Sequence, residues 1–177
     1  MSISDIENYF RSYDKKTYNV FSQRGAEPTI QRIEEFEREI GFRLPDDFRT
    51  YSLHPLGGIY MEVKDELWPR PKAYDVGPFW SFLYGFYVYT FSDAAPDWLS
   101  IQGARNEMRE NGYPQLIPFL KIRGDADPYC FTADGKIVVW QHEMPDEPAA
   151  IDKTFMDVLM AEIKELEARK ERKLNAR

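Results

Sequence analysis

Between Thr29 and Gly41 the apolar residues Ile30, Ile33, Phe36 and Ile40 fall three or four positions apart, while charged residues such as Glu34, Glu35, Glu37 and Arg38 fill the gaps. That is the period of an amphipathic helix, and Thr29 and Gly41 are the residue types that start and stop one. Nearer the N-terminus, Ser4 and Glu7 stand at capping-box spacing, and Ile6, Tyr9, Phe10 and Tyr13 follow at helical intervals. A first helix near residues 5–13 is expected. Leu44 to Phe48 reads as a short third helix, because proline suits the first helical position and Asp46 and Asp47 complement the free N–H groups of a first turn. Gly57 and Gly58 close this helical region.

The rhythm then changes. Ile59, Met61 and Val63 alternate with Tyr60, Glu62 and Lys64, the period of a half-buried strand. Pro69, Pro71 and Pro78 break the next stretch into loop, and the aromatic run Phe79 to Phe91 suits one strand or a kinked pair about Gly85. Ser92 or Asp93 starts a helix reaching about Asn111, with Trp98, Ile101, Arg105 and Met108 on one side and Gly112 as its stop. Leu116–Ile122, Tyr129–Ala133 and Lys136–His142 read as three strands, with Asp134-Gly135 as a two-residue hairpin turn and Trp140 on a central or near-central strand. Phe155, Val158, Leu159, Ile163 and Leu166 mark a C-terminal helix, after which a charged tail frays or projects.

Helices at both ends of a run of hairpin-linked strands predict an α+β fold, a mainly antiparallel sheet flanked by N-terminal and C-terminal helices. The repeated βα alternation of a parallel, Rossmann-like sheet is missing. No internal repeat or low-complexity linker divides the chain. We divide it into an N-terminal helix and linker (1–29), a central domain (30–163) and a charged helix end or tail (164–177).

Composition narrows the function. At 177 residues, 43% hydrophobic and 15% aromatic, the chain can bury a full core. Its single cysteine, Cys130, allows no internal disulfide, and with no Cys/His cluster at ligand spacing it fits a reducing, cytoplasmic setting with no metal or other cofactor. No apolar segment suits a leader or a membrane span. The net charge is −7, yet the stretch from Lys164 to Arg177 is locally basic, so the body is more acidic than the total. An acidic body disfavours nucleic acid, whose phosphates call for Lys and Arg, and suits a basic protein partner.

No arrangement of residues carries catalysis. Asp46 and Asp47 are neighbours on a helical turn and diverge; their better role is at the helix terminus. The Gly124-Asp125-Ala126-Asp127 stretch lacks the later ligands of a calcium loop. His54 and His142 are the two histidines, and neither has a motif around it. Cys130 sits mid-strand, where a buried inert thiol is the ordinary outcome. Trp80, Tyr84, Tyr87 and Tyr89 are chiefly core candidates. Trp68, Tyr74 and Asp75, in a loop rich in proline, and Asp125 and Asp127 form the candidate partner-binding patch; the alternative is that the loop aromatics fold back over the sheet edge.

Four segments together resemble one family: Ile33 to Phe48 (IEEFEREIGFRLPDDF), Gly57-Gly58, Leu116 to His142 (LIPFLKIRGDADPYCFTADGKIVVWQH), and Thr154-Phe155 with Leu159. The order is that of the SUKH superfamily, the Smi/Knr-type domain: Phe36-Glu37 on a helix, Gly41 before Leu44-Pro45, the acidic pair before Phe48, the Gly pair, Pro118-Phe119 with Gly124-Asp125, and a strand ending in Trp140. The likeness spans roughly residues 30–163. Leu56 departs from the polar residue that commonly precedes the Gly pair, and the stretches 68–78 and 93–111 are longer than a compact member needs. The resemblance implies a mixed α+β domain without catalytic function, which in bacteria is chiefly an immunity protein binding a toxin domain, often a nuclease with a basic face, and in fungi a regulatory module. On either role the partner is a protein.

Overall fold

A computed structural model describes residues 1–72 and 78–175. The elements run α1 (Ile3–Ser12), β1 (Tyr18–Phe21), α2 (Ile30–Ile40), α3 (Asp46–Ser52), β2 (Tyr60–Val63), a 3-10 turn (Phe79–Phe82), β3 (Gly85–Val88), a second 3-10 turn (Asp97–Leu99), α4 (Ile101–Glu110), β4 (Ile117–Ile122), β5 (Tyr129–Phe131), β6 (Ile137–Val139), β7 (Ala149–Ile151) and α5 (Phe155–Asn175). Among the described residues, seven strands form one sheet in the order of the chain, each antiparallel to its neighbour. This is the expected α+β architecture with flanking helices.

Strand alternation gives the sheet two faces. Ile59, Met61, Val63, Phe86, Val88, Ile117 and Phe131 are buried on the face covered by α1, α3 and α5. Phe48 on α3 sits at the centre, its ring 5.0 Å from Phe131, 6.1 Å from Phe119 and 4.9 Å from Phe155 of α5. A register shift in β4 between Pro118 and Leu120 lets consecutive Phe119 and Leu120 both pack inward. On the opposite face α4 covers only the β4–β6 side, where Met108 meets Leu116, Cys130 and Val138.

The Thr29 hydroxyl accepts the Arg32 N–H and α2 ends at Gly41, as expected. Asp46 and Asp47 open α3, and Asp47 Oδ2 also accepts the Met156 N–H at 3.2 Å, so this carboxylate steadies the start of α5 as well. Several local expectations need correction. The first helix starts earlier, and its capping pair is Ser2 with Asp5, whose carboxylate takes the Ser2 N–H at 2.8 Å. The aromatic run is neither one strand nor a pair: Phe79–Phe82 forms a 3-10 turn and the strand begins at Gly85. The next helix begins at Ile101 with Ser100 as its cap, and Trp98 lies before it. The β5–β6 loop has three residues, because Thr132 pairs with Lys136 (N–H to O, 3.0 Å) and Gly135, at φ 77°, closes a turn back to Thr132 O at 2.9 Å. Trp140 falls one residue beyond β6, the strand next to an edge, and is not central. Finally, α5 runs unbroken through Asn175 with Leu166 and Arg169 buried, in place of a frayed tail.

Candidate functional site

Beyond the reach of α4, the β1–β3 part of the second face is clothed by side chains. Phe21 from β1 and Tyr60 from β2 stack at 6.0 Å, Trp98 meets Tyr60 edge-on at 5.8 Å, and Trp98 meets Tyr87 of β3 at 5.3 Å. Phe21 and Trp98 are 59% and 50% exposed, which is unusual for rings in so ordered a row. Pairing fixes the row: Phe21 is opposite Tyr60 and Tyr60 opposite Tyr87 in the sheet register. Trp98 is brought over them by the 3-10 turn, whose approach is held by the backbone bonds Thr90 N–H to Leu99 O (2.9 Å) and Ile101 N–H to Thr90 O (3.0 Å).

A cleft of about 430 Å³ opens along these rings, walled by Phe21, Tyr60, Trp98 and Leu99 and floored by Gln23, Gly58, Thr90 and Ser92. The floor is a closed hydrogen-bond network. Gln23 Nε2 donates to Ser52 O at 2.6 Å and His54 O at 2.9 Å, Thr90 Oγ1 donates to Gln23 Oε1 at 2.5 Å, and Ser92 Oγ donates to Ala26 O at 2.6 Å. The Gly pair is what allows it. A Cβ at Gly57 would stand 2.3 Å from Gln23 Nε2, and one at Gly58, at φ 60°, would stand 2.8 Å from Thr90 Cβ. The hydroxyls of the floor are engaged with protein partners, and the walls are apolar. This arrangement can hold an inserted side chain; it sets no nucleophile beside a base.

The carboxylate of Glu62 closes the far end of the row. It accepts the Tyr60 hydroxyl, the Asn19 amide at 3.2 Å and Arg70 Nη2 at 3.1 Å. Burial, then the Glu62 hydrogen bond, raises the Tyr60 pKa, so its phenol stays protonated and donates.

The residues singled out in the sequence sit elsewhere. Trp68 is 2% exposed, with its indole N–H donated to Ser81 O at 2.9 Å and Lys173 Nζ 5.7 Å from its ring centroid; it is a core residue pinned near α5, against the expectation of an exposed loop aromatic. Folding back, the alternative weighed for it, is what occurs. Tyr74 and Asp75 lie outside the described residues. Asp125 and Asp127 are half-buried in the β4–β5 loop: Asp125 accepts the Asp127 N–H at 3.0 Å, and Asp127 accepts the His142 N–H at 3.0 Å and pairs with its Nδ1 at 2.7 Å. Trp68 and Asp125 do line one groove, together with Trp80, Arg169 and the prolines Pro69 and Pro78. Trp80, expected in the core, is 61% exposed there. Tyr87 and Tyr89 are buried as expected, and Cys130 is fully buried, its thiol pKa pushed up by burial.

His54 and His142 stand apart in structural roles. His54 Nδ1 accepts the Leu56 N–H at 3.1 Å, which leaves the proton of the neutral ring on Nε2, 3.0 Å from Glu7. Among the described residues no three His, Cys, Asp or Glu side chains gather as a metal site, and no helix is long and apolar enough to cross a membrane.

Sequence reasoning missed the aromatic row because its members, Phe21, Tyr60, Tyr87 and Trp98, come from four separate segments. One signal was available: Tyr60 occupies the outward phase of a strand whose inward phase is Ile59, Met61 and Val63, so its ring had to lie on the second face.

The chain is 29% identical over 160 residues to the SPbeta prophage-derived uncharacterized protein YokK of Bacillus subtilis (strain 168), covering 78% of this chain and 77% of that relative. Residues 27–161 match the model of the SMI1 / KNR4 family (SUKH-1), a span that includes the α2–α3 helices, the Gly pair of the cleft floor and all strands from β2 to β7; the chain belongs to that family.

Proposed function

We propose that this protein is an immunity-type binding module that neutralises a toxin domain in the cytoplasm by docking it over the Phe21–Tyr60–Trp98 row, without catalysing a reaction. The observation that carries this reading is the pair of exposed rings, Phe21 and Trp98, over a floor whose Gln23, Thr90 and Ser92 side chains are hydrogen-bonded within the protein. Aromatic anchors in such a setting give binding energy with little ordering cost, because ring side chains have few torsions to freeze. The net charge of −7 favours a basic partner, such as a nuclease, by steering its approach. Membership of the SUKH family is in keeping with a protein-binding role.

Co-expression with the product of the neighbouring gene tests the reading. Growth rescue together with a co-purifying complex is the expected result. If that product is not toxic and does not bind, the immunity role fails, and a regulatory role toward an endogenous protein takes its place.

A further inference from the structure

The Tyr60 and Trp98 rings meet at 77° and form two walls of a corner at the mouth of the cleft, with Phe21 stacked alongside Tyr60, its plane tilted by only 18°. Aromatic faces carry negative potential and attract cations. Elsewhere the protein supplies its own: Arg70 lies 3.7 Å from the Tyr84 ring centroid, Arg105 lies 5.7 Å from that of Phe36, and Lys173 caps Trp68. Among the described residues no cation stands over Phe21, Tyr60 or Trp98.

Acidic groups lie beside this corner. A polar notch of about 180 Å³ shares Thr90, Ser92 and Ala95 with the cleft and is lined by Asp93 and Asp97, both exposed. Asp93 is almost fully in solvent, and the half-buried Arg32 lines the same notch, its buried Nε 3.9 Å from the Asp93 carboxylate. The opposing charges are Arg32 in the notch and the exposed Arg24 on the cleft wall; the carboxylates line the notch and not the cleft itself.

We infer that the Tyr60–Trp98 corner receives a cationic side chain, arginine or lysine, presented by the docking protein, with the ring faces against the cation and Asp93 and Asp97 supplying the counter-charge. The inference rests on the docking reading above and adds the chemistry of the contact: the partner's anchor is a basic residue and not an apolar one. A planar guanidinium fits best, since it stacks on a ring and still directs N–H groups toward carboxylates.

Indole-labelled protein, titrated in NMR with an N-acetylated, C-amidated Gly-Arg-Gly tripeptide, tests this. Its neutral citrulline and norleucine counterparts are the controls, and the Trp98 indole signal is identified by its loss in Trp98→Phe. The expected result is a saturable Trp98 shift, with arginine bound roughly two- to fivefold more tightly than citrulline, the span of an exposed cation–ring contact. Asp93→Asn with Asp97→Asn should narrow that preference, and Arg24→Ala should widen it. Equal binding of citrulline, tighter binding of norleucine, or an unmoved Trp98 signal at saturating arginine peptide overturns the inference. The two readings fail separately. If Trp98→Ala weakens the cognate partner while arginine and citrulline peptides bind alike, the docking face stands and the cation falls. If arginine is preferred but Trp98→Ala leaves the partner's affinity unchanged, the cation corner stands and the docking reading falls.

Discussion

Glu37 on α2 clasps Arg49 on α3: Arg49 Nη1 donates to both carboxylate oxygens, at 3.1 and 2.8 Å, and Glu37 Oε1 also accepts the Leu44 N–H at 2.8 Å. One side chain thus ties the end of the second helix, the turn after it and the third helix. Both partners are about nine-tenths buried, so Glu37→Ala strands a desolvated guanidinium and an unmet N–H. A loss of about 3 kcal/mol is expected from urea unfolding. A loss under about 0.5 kcal/mol, the range of surface substitutions, would show the clasp to be incidental.

Phe36, one residue earlier and so about 100° around the helix, is buried against Phe91, with ring centroids 5.2 Å apart. Phe36→Ala should cost about 3–5 kcal/mol in the same assay, and Ile40→Ala less because Ile40 is only half-buried. Equal costs for the two would mean that the helix face is rotated from the one described.

These two residues show what the sequence made legible. Phe36, Glu37, Gly41 and the Leu44–Phe48 run lie within thirteen residues, so local periodicity, capping and turn chemistry specify them without knowledge of the fold. The strands hidden from sequence are β1 and β7: four residues containing Asn19, and the Ala149-Ala150-Ile151 segment beside prolines, have weak intrinsic preference and become strands because β2 and β6 offer them a paired edge. The burial of Trp68 is hidden from sequence for a similar reason. The residues that cover it, Ser81 and Lys173, are distant in sequence, and a proline-rich setting says nothing of them. The aromatic row is non-local too, as Phe21, Tyr60 and Trp98 converge only after the sheet forms.

On α5, Arg169 Nη1 stands 3.7 Å from Glu162 Oε2, both side chains are buried, and among the described residues Arg169 Nε and Nη2 find no hydrogen-bond partner. Burial lowers the Arg169 pKa and raises that of Glu162, the mark of an ion pair whose geometry does not fully offset desolvation. Arg169→Leu should cost about 3 kcal/mol by leaving the carboxylate without a counter-charge. Adding Glu162→Gln, which keeps an acceptor for the Tyr129 hydroxyl now 2.6 Å away, should restore most of the loss. A double variant no more stable than the single one would contradict this account.

The Asp127 carboxylate, through its hydrogen bond, raises the His142 pKa above its ordinary 6.5. Because the folded value exceeds the unfolded one, the pair's contribution to stability is full below pH 6.5 and is lost as pH rises through the folded value. NMR titration should give a His142 midpoint above 6.5 that moves back toward it in Asp127→Asn. A midpoint at or below 6.5 in the wild type contradicts the pairing.

Two exposed tryptophans offer rival surfaces: Trp98 over the cleft, and Trp80 on the groove beside Trp68 and Asp125. Calorimetric titration of the neighbouring gene's product into wild type, Trp98→Ala and Trp80→Ala decides between them. The account predicts that Trp98→Ala weakens binding by roughly 30-fold or more, the loss of an anchor residue worth about 2 kcal/mol, while Trp80→Ala stays within about twofold of wild type. Loss of affinity at Trp80 with Trp98→Ala unchanged would contradict it.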